Sequence, residues 1–236
     1  MFFIKRVLLF LAIVLGGNQL VTAHAVWLAC DPVGNPNEPH TVRVYYGEYA
    51  TGELEETKDW YSDLRELVLY WVSPNGEQQT LKLEDKGQFL EGTFVPKQEG
   101  IYQLFSNHPT KDLGGETRFE FVAQASVQIG KSVQRAGKLS GYQLQVDPKN
   151  YTAQSKIPVS LQKDGNPIAR QEILVMSEAG WSKTYKTDAK GQIQVDAIWS
   201  GRYVIEFGHA EEQEGIWNGK PYKRAWQGIT TSFLVQ

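Results

Sequence analysis

Over most of its length the chain alternates apolar and polar side chains in short stretches, and a period of two is the signature of half-buried β-strands. Segments 40–46, 66–73, 77–83, 88–95, 100–106 and 117–123 carry this pattern in the first half. Segments 141–147, 157–162, 171–177, 182–187, 192–196, 201–207 and 229–235 carry it in the second. Turn residues separate them: Pro74-Asn75-Gly76, Asp164-Gly165 and 188–191 supply the residues that reverse a chain tightly. Few long apolar helical patterns compete, and 49–65, with Leu54, Trp60 and Leu64 among spaced acids, reads as a loop with one helical turn. Segment 124–140 lacks large aromatics and strong periodicity, which places a boundary there. The pattern predicts an all-β protein of two β-sandwich domains, 24–125 and 141–236, joined by a linker at 126–140.

The two halves echo each other. Gly100-Ile101-Tyr102-Gln103-Leu104, then His108, then Thr117-Arg118-Phe119-Glu120-Phe121-Val122 has a counterpart in Gly201-Arg202-Tyr203-Val204-Ile205, His209 and Thr231-Ser232-Phe233-Leu234-Val235. Each histidine follows its tyrosine by six positions, so it shares that tyrosine's side of an extended chain. Both histidines are expected at strand ends, either as equivalent loop ligands or as a chance match within a common strand-and-hairpin pattern.

The first residues break the alternation. Lys5 and Arg6 precede an apolar run at 7–16, and Val21-Thr22-Ala23 offers small residues before His24, so 1–23 reads as a signal peptide cut before His24. The run is about half of the roughly 20 residues that span a bilayer, so the mature protein is expected to be soluble and periplasmic or secreted. The competing reading is a lipoprotein signal ending at Cys30, although Trp27 stands where such a signal carries leucine.

Charge narrows the partners. Removing Lys5 and Arg6 with the leader leaves 22 basic against 27 acidic residues, a net charge of −5, and nucleic-acid binding needs a concentrated basic face instead. The single cysteine, Cys30, cannot form an internal disulfide, so the fold must stand on its core. Cys30 itself reads as a buried small hydrophobe, a soft metal ligand near His24, or a reactive thiol.

Cleavage before His24 would create chemistry. A free α-amine and the imidazole of one residue can chelate a metal ion together, and the amine's reference pKa of about 7.7–8.0 lets a metal displace its proton near neutrality. Nitrogen donors suit nickel, copper and zinc. His108, followed by Pro109 and Asp112, and His209, beside the acidic run Glu211-Glu212-Gln213-Glu214, are the candidates to complete such a site. His40, after Glu38-Pro39, reads as an ordinary strand-edge residue. No metalloprotease, nucleophile-elbow, paired-cysteine or phosphate-loop motif occurs. Trp181, Trp199, Trp217 and Trp226 read as core or rim more readily than as sugar platforms.

His24-Ala25-Val26-Trp27-Leu28, followed by Val42-Arg43-Val44-Tyr45-Tyr46-Gly47-Glu48, resembles an exported bacterial family of unknown function associated with nickel and cobalt uptake. The second half, through Ile157-Pro158-Val159, Gly165-Asn166-Pro167-Ile168, Thr187-Asp188-Ala189-Lys190-Gly191 and Gly201-Arg202-Tyr203, is similar to transthyretin-like or carboxypeptidase-regulatory-like sandwiches. The resemblance implies two immunoglobulin-like or transthyretin-like sandwiches, a divalent transition metal (nickel or cobalt first, copper or zinc next) held by His24 and less securely by His209, and delivery to a membrane transporter. It implies no enzyme.

Two other functions share these residues. A copper oxidase acting on polysaccharide would use His24 as a histidine brace with a second histidine beside it. A structural or adhesive module would leave all four histidines incidental, and wide separation of His24 from both His108 and His209 would favour it.

Overall fold

The computed structural model describes residues 24–137 and 139–236; the expected leader lies outside them. The expectation of an all-β chain holds: among the described residues eighteen strands form three sheets, and the helical segments are two 3-10 turns, Thr57–Asp59 and Leu64–Glu66. These turns fall in the stretch expected to be a loop with a helical turn, and they bury Trp60 and Leu64.

The first sheet orders β1 (Ala25–Cys30), β3 (His40–Glu48), β8 (Leu90–Phe94) and β7 (Glu84–Asp85), with β4 (Glu53–Leu54) added to β3. The long central sheet orders β15 (Ser182–Lys186), β14 (Glu172–Ser177), β17 (Gly201–Trp217), β18 (Lys220–Val235), β10 (Thr117–Ile129), β9 (Gly100–Gly114), β5 (Leu69–Val72) and β6 (Gln78–Leu81), with β2 (Val33–Gly34) beside β10. The third joins β11 (Tyr142–Gln145), β12 (Ser155–Lys163) and β13 (Asn166–Pro167), with β16 (Gln192–Ala197) on β12.

Turn chemistry sets the local reversals. Asp164 and Gly165 both adopt positive φ, 51° and 76°, between the paired residues Lys163 and Asn166, as a two-residue hairpin matched to strand twist requires. In the β5–β6 hairpin the Gly76 amide donates to Ser73 O at 2.9 Å.

Alternation along the strands builds two cores on opposite faces of the central sheet. Val26, Leu28, Val44, Leu69, Tyr102, Leu104 and Ala123 pack between the first sheet and the β10–β9 side. Ile157, Leu161, Val175, Val195, Tyr203, Ile205 and Phe233 pack between the third sheet and the β14–β17–β18 side. Neighbouring residues of β10 divide between them: Phe121 and Ala123 enter the first core, Val122 the second.

The sandwiches meet through hydrogen bonding. β10 and β18 pair in parallel from Thr117↔Arg224 to Gln124↔Thr231, so one sheet runs through both halves. β10 continues to Ile129, and the first four positions of the expected linker 126–140 are therefore strand.

The strand ends also differ from expectation. His108 lies inside β9 and His209 inside β17, because each hairpin continues past its sandwich as polar ladder. The acids Glu211 and Glu212 pair with Ala225 and Arg224. Backbone pairing needs no apolar alternation, so this extension left no period-two signal.

Candidate functional site

β1 ends the first sheet, yet its outward carbonyls are not left open. Thr230 Oγ1 donates to Val26 O at 2.6 Å, Ser232 Oγ to Leu28 O at 2.7 Å, and Arg202 Nη2 to Cys30 O at 3.0 Å. Side chains from β18 and β17 thus replace a missing strand and fix the entry of the chain at His24. The outer face of β1 is covered too, with Trp27 packed on Met176 and Val204.

His24 sits at the mouth of this arrangement. Its ring lies 5.3 Å from that of Tyr46, and its Nε2 is 3.1 Å from Glu55 Oε1. An ionised carboxylate only accepts, so in a neutral His24 ring this contact would place the proton on Nε2 and leave Nδ1 as the acceptor. Glu55 is itself held: its amide donates to Tyr46 O at 3.0 Å, and Trp60 Nε1 donates to Glu55 O at 3.1 Å. The side chains of His24 and Glu55 are about one-third exposed, at 33% and 31%, which leaves the ring open to a small ion.

His108 and His209 stand elsewhere. His108 Nε2 lies 3.1 Å from Asp63 Oδ1 without a hydrogen-bonding angle. His209 packs against Tyr142 at 5.1 Å and lies 3.8 Å from Glu211 Oε2. Their separation follows from the echo. The hairpins β9–β10 and β17–β18 join through parallel second strands, so bringing one onto the other reverses the lateral order and exchanges the faces. Tyr102 accordingly enters the first core and Tyr203 the second. The two histidines face opposite sides of the sheet and are three strand spacings apart, about 14 Å laterally.

They cannot share an ion. The ring of Tyr46, which meets His24, lies 6.1 Å from that of Phe121, and His108 is opposite Phe121 in the ladder. No group of three or more His, Cys, Asp or Glu side chains converges as a metal site among the described residues. The side chain that stands beside His24 is Glu55, whereas His108 stands beside Asp63 and His209 beside Tyr142 and Glu211.

The remaining candidates divide cleanly. His40 is 7% exposed, with its Nε2 bound to Asp31 O at 3.0 Å and its pKa lowered, chiefly by burial; it is core rather than strand edge. Cys30 is buried in β1, and burial pushes its thiol up to about 12. That suits the small-hydrophobe reading and neither a thiolate ligand nor a reactive thiol. A cavity of about 370 Å³ between Trp27, Tyr45, Tyr49, Glu178 and Arg202 adjoins β1, but Trp27 is 2% exposed and offers no stacking face.

Local sequence gave no sign of Glu55, which stands among other acids in an irregular stretch. Two further acids were missed. Glu48, at the end of β3, is 7% exposed, and Glu206 on β17 has its carboxyl raised to about 7 by burial and by the charge of Glu48.

No family model and no curated relative matches the chain. Among solved structures it is similar to an Escherichia coli alpha-2-macroglobulin activated by porcine elastase, with 12% identity over 88% of this chain and a TM-score of 0.32. A marsupial T cell receptor is similar with 11% identity over 90% of this chain and 73% of the receptor, at a TM-score of 0.27. The chain spans 20% of the macroglobulin's length. Likeness at this level carries no functional argument, and the all-β sandwich assignment stands on the strands themselves.

Proposed function

We propose that the chain is an exported metal-binding protein whose processed N-terminus, His24, grips one divalent transition ion through its α-amine and Nδ1. The observation that carries this reading is the His24 Nε2 contact with Glu55 at 3.1 Å. Metal-ligating histidines commonly donate their second ring N–H to a carboxylate, which fixes the tautomer and raises the basicity of the ligating nitrogen. Glu55 does this for Nδ1, and its own backbone bonds keep it from drifting.

The residues fit a two-point nitrogen grip with open positions, rather than a closed cage. Such a grip suits an ion that is cargo and must be passed on. Nickel and cobalt are the ions implied by the family resemblance, with a membrane uptake system as receiver. Copper and zinc bind similar nitrogen donors.

Export before His24 has support from the core as well as from the leader. A cut at Cys30 would remove Val26 and Leu28, which fill the first core. It would also remove Trp27, which covers Met176 and Val204.

Secretion with the native leader, followed by intact-mass determination of the N-terminus and elemental analysis, tests the reading. We expect a first residue of His24 and one bound divalent ion per chain. A chain that begins at His24 and takes up no divalent transition metal would overturn it.

A further inference from the structure

The cavity of about 370 Å³ beside β1 is walled by both sandwiches. Tyr45, Tyr49 and Ala50 come from β3 and the turn after it, Glu178 and Gly180 from the turn between β14 and β15, and Arg202 from the start of β17. Most of the lining is aromatic or small. Tyr45 stacks on Trp27 with ring centroids 5.6 Å apart, and Tyr49 meets Trp27 edge-on at 5.3 Å. Leu54, also in the lining, is 39% exposed. A concave, largely apolar space with a few fixed polar groups is the form that small-molecule sites take, at about 300–1,000 Å³.

Two opposite charges line this space without pairing. Arg202 Nη2 donates to Cys30 O at 3.0 Å and Nη1 to Ser232 Oγ at 3.3 Å, which holds the guanidinium toward β1 and β18 and uses two of its five donors. Glu178 Oε2 accepts from the backbone amide of Arg202 at 2.9 Å, and the Glu178 amide donates to Arg202 O at 2.9 Å. Gly201 leaves room for that carboxylate, since a Cβ added there would stand 2.9 Å from Glu178 Oε2. Among the described residues no acid forms an ion pair with Arg202 and no base forms one with Glu178. Both charges reach the Tyr49 hydroxyl, which donates to Arg202 O at 2.8 Å. Burial and then the charge of Glu178 raise its pKa, and Arg202 opposes them.

We propose that this cavity binds a small zwitterion with an apolar body, of the α-amino acid kind, whose carboxylate meets the Arg202 guanidinium and whose ammonium group meets Glu178. Its apolar body lies against Tyr45 and Leu54. A guanidinium recognises a carboxylate by charge and by its planar fork of donors. A purely anionic guest would face Glu178 uncompensated, and a purely cationic guest would face Arg202; a zwitterion satisfies both. The site uses neither His24 nor a metal, so it goes beyond the metal-binding reading and does not rest on it.

Calorimetric titration of the chain from His24 onward, with a chelator present, tests the site with three probes: L-phenylalanine, 3-phenylpropionate, which lacks the ammonium group, and 2-phenylethylamine, which lacks the carboxylate. We expect one equivalent of L-phenylalanine to bind at least about tenfold more tightly than either analogue, the cost of losing one charged hydrogen bond. Glu178→Gln, at an exposed position, should weaken L-phenylalanine severalfold and leave 3-phenylpropionate no weaker. Thr51→Trp, also at an exposed position in the lining, should block the cavity to all three.

No binding of L-phenylalanine, equal affinity for the three probes, or L-phenylalanine affinity unchanged in Glu178→Gln or in Thr51→Trp would overturn the proposal. Because the chelator removes divalent ions, failure of metal binding at His24 would leave every one of these results as expected and would overturn the functional reading alone.

Discussion

Thr230 Oγ1 donates a 2.6 Å hydrogen bond to the carbonyl of Val26, two residues from His24 and 204 positions away along the chain. This contact and the parallel β10–β18 pairing bind β1 to β18, so the position of His24 depends on both sandwiches.

Thr230→Val keeps the shape and removes the donor, leaving a buried carbonyl unpaired. The expected loss is about 1–3 kcal/mol of stability, read as a lower midpoint in urea. Ser232→Ala, which releases Leu28 O, should lower it in the same direction, since its Oγ makes the adjacent bond at 2.7 Å.

Cys30 should be inert in the folded protein. With its thiol buried and raised to about 12, little thiolate is present at neutral pH. A colorimetric thiol reagent is expected to react with the native protein far more slowly than with the same protein in denaturant. Equal rates would contradict the burial.

His40 sets a pH dependence. Burial lowers its pKa below the ordinary 6.5, and Asp31, whose backbone carbonyl binds Nε2, is the one charged group that opposes this. Below pH 6.5 the unfolded chain takes up a proton that the folded chain resists, so this contribution to stability is complete above pH 6.5 and falls away as pH drops. Urea midpoints measured from pH 7.5 to 5 should show a steeper decline for the natural protein than for His40→Gln.

The strands, the turns at Asp164-Gly165 and Asp188–Gly191, and the stretch around Trp60 and Leu64 were legible because each depends on residues close in sequence. The pairing of β10 with β18 was not. It joins segments 107 positions apart by backbone bonds, to which side-chain alternation is blind. The echo of His108 and His209 was legible as a repeat but not as a geometry. Parallel joining of the hairpins exchanges faces, and that sends two equivalent histidines to opposite sides of one sheet. Glu55 was invisible for the same reason, since only the folded chain brings its irregular segment to the start of β1.

Glu55→Ala should leave the α-amine and Nδ1 of His24 in place while freeing the ring to rotate and change tautomer. Loss of an outer carboxylate of this kind weakens metal affinity by about 10–100-fold. Competition against a chromogenic chelator measures it, and unchanged affinity would remove Glu55 from the site.

The most direct measurement is calorimetric titration of nickel or cobalt into the metal-stripped chain beginning at His24, beside the same chain with one alanine added in front. The account predicts one equivalent bound by the first and binding weakened at least roughly tenfold in the second, where the added residue takes the free amine away from the imidazole of His24. Equal affinity in the two chains, or no binding by the first, would contradict it.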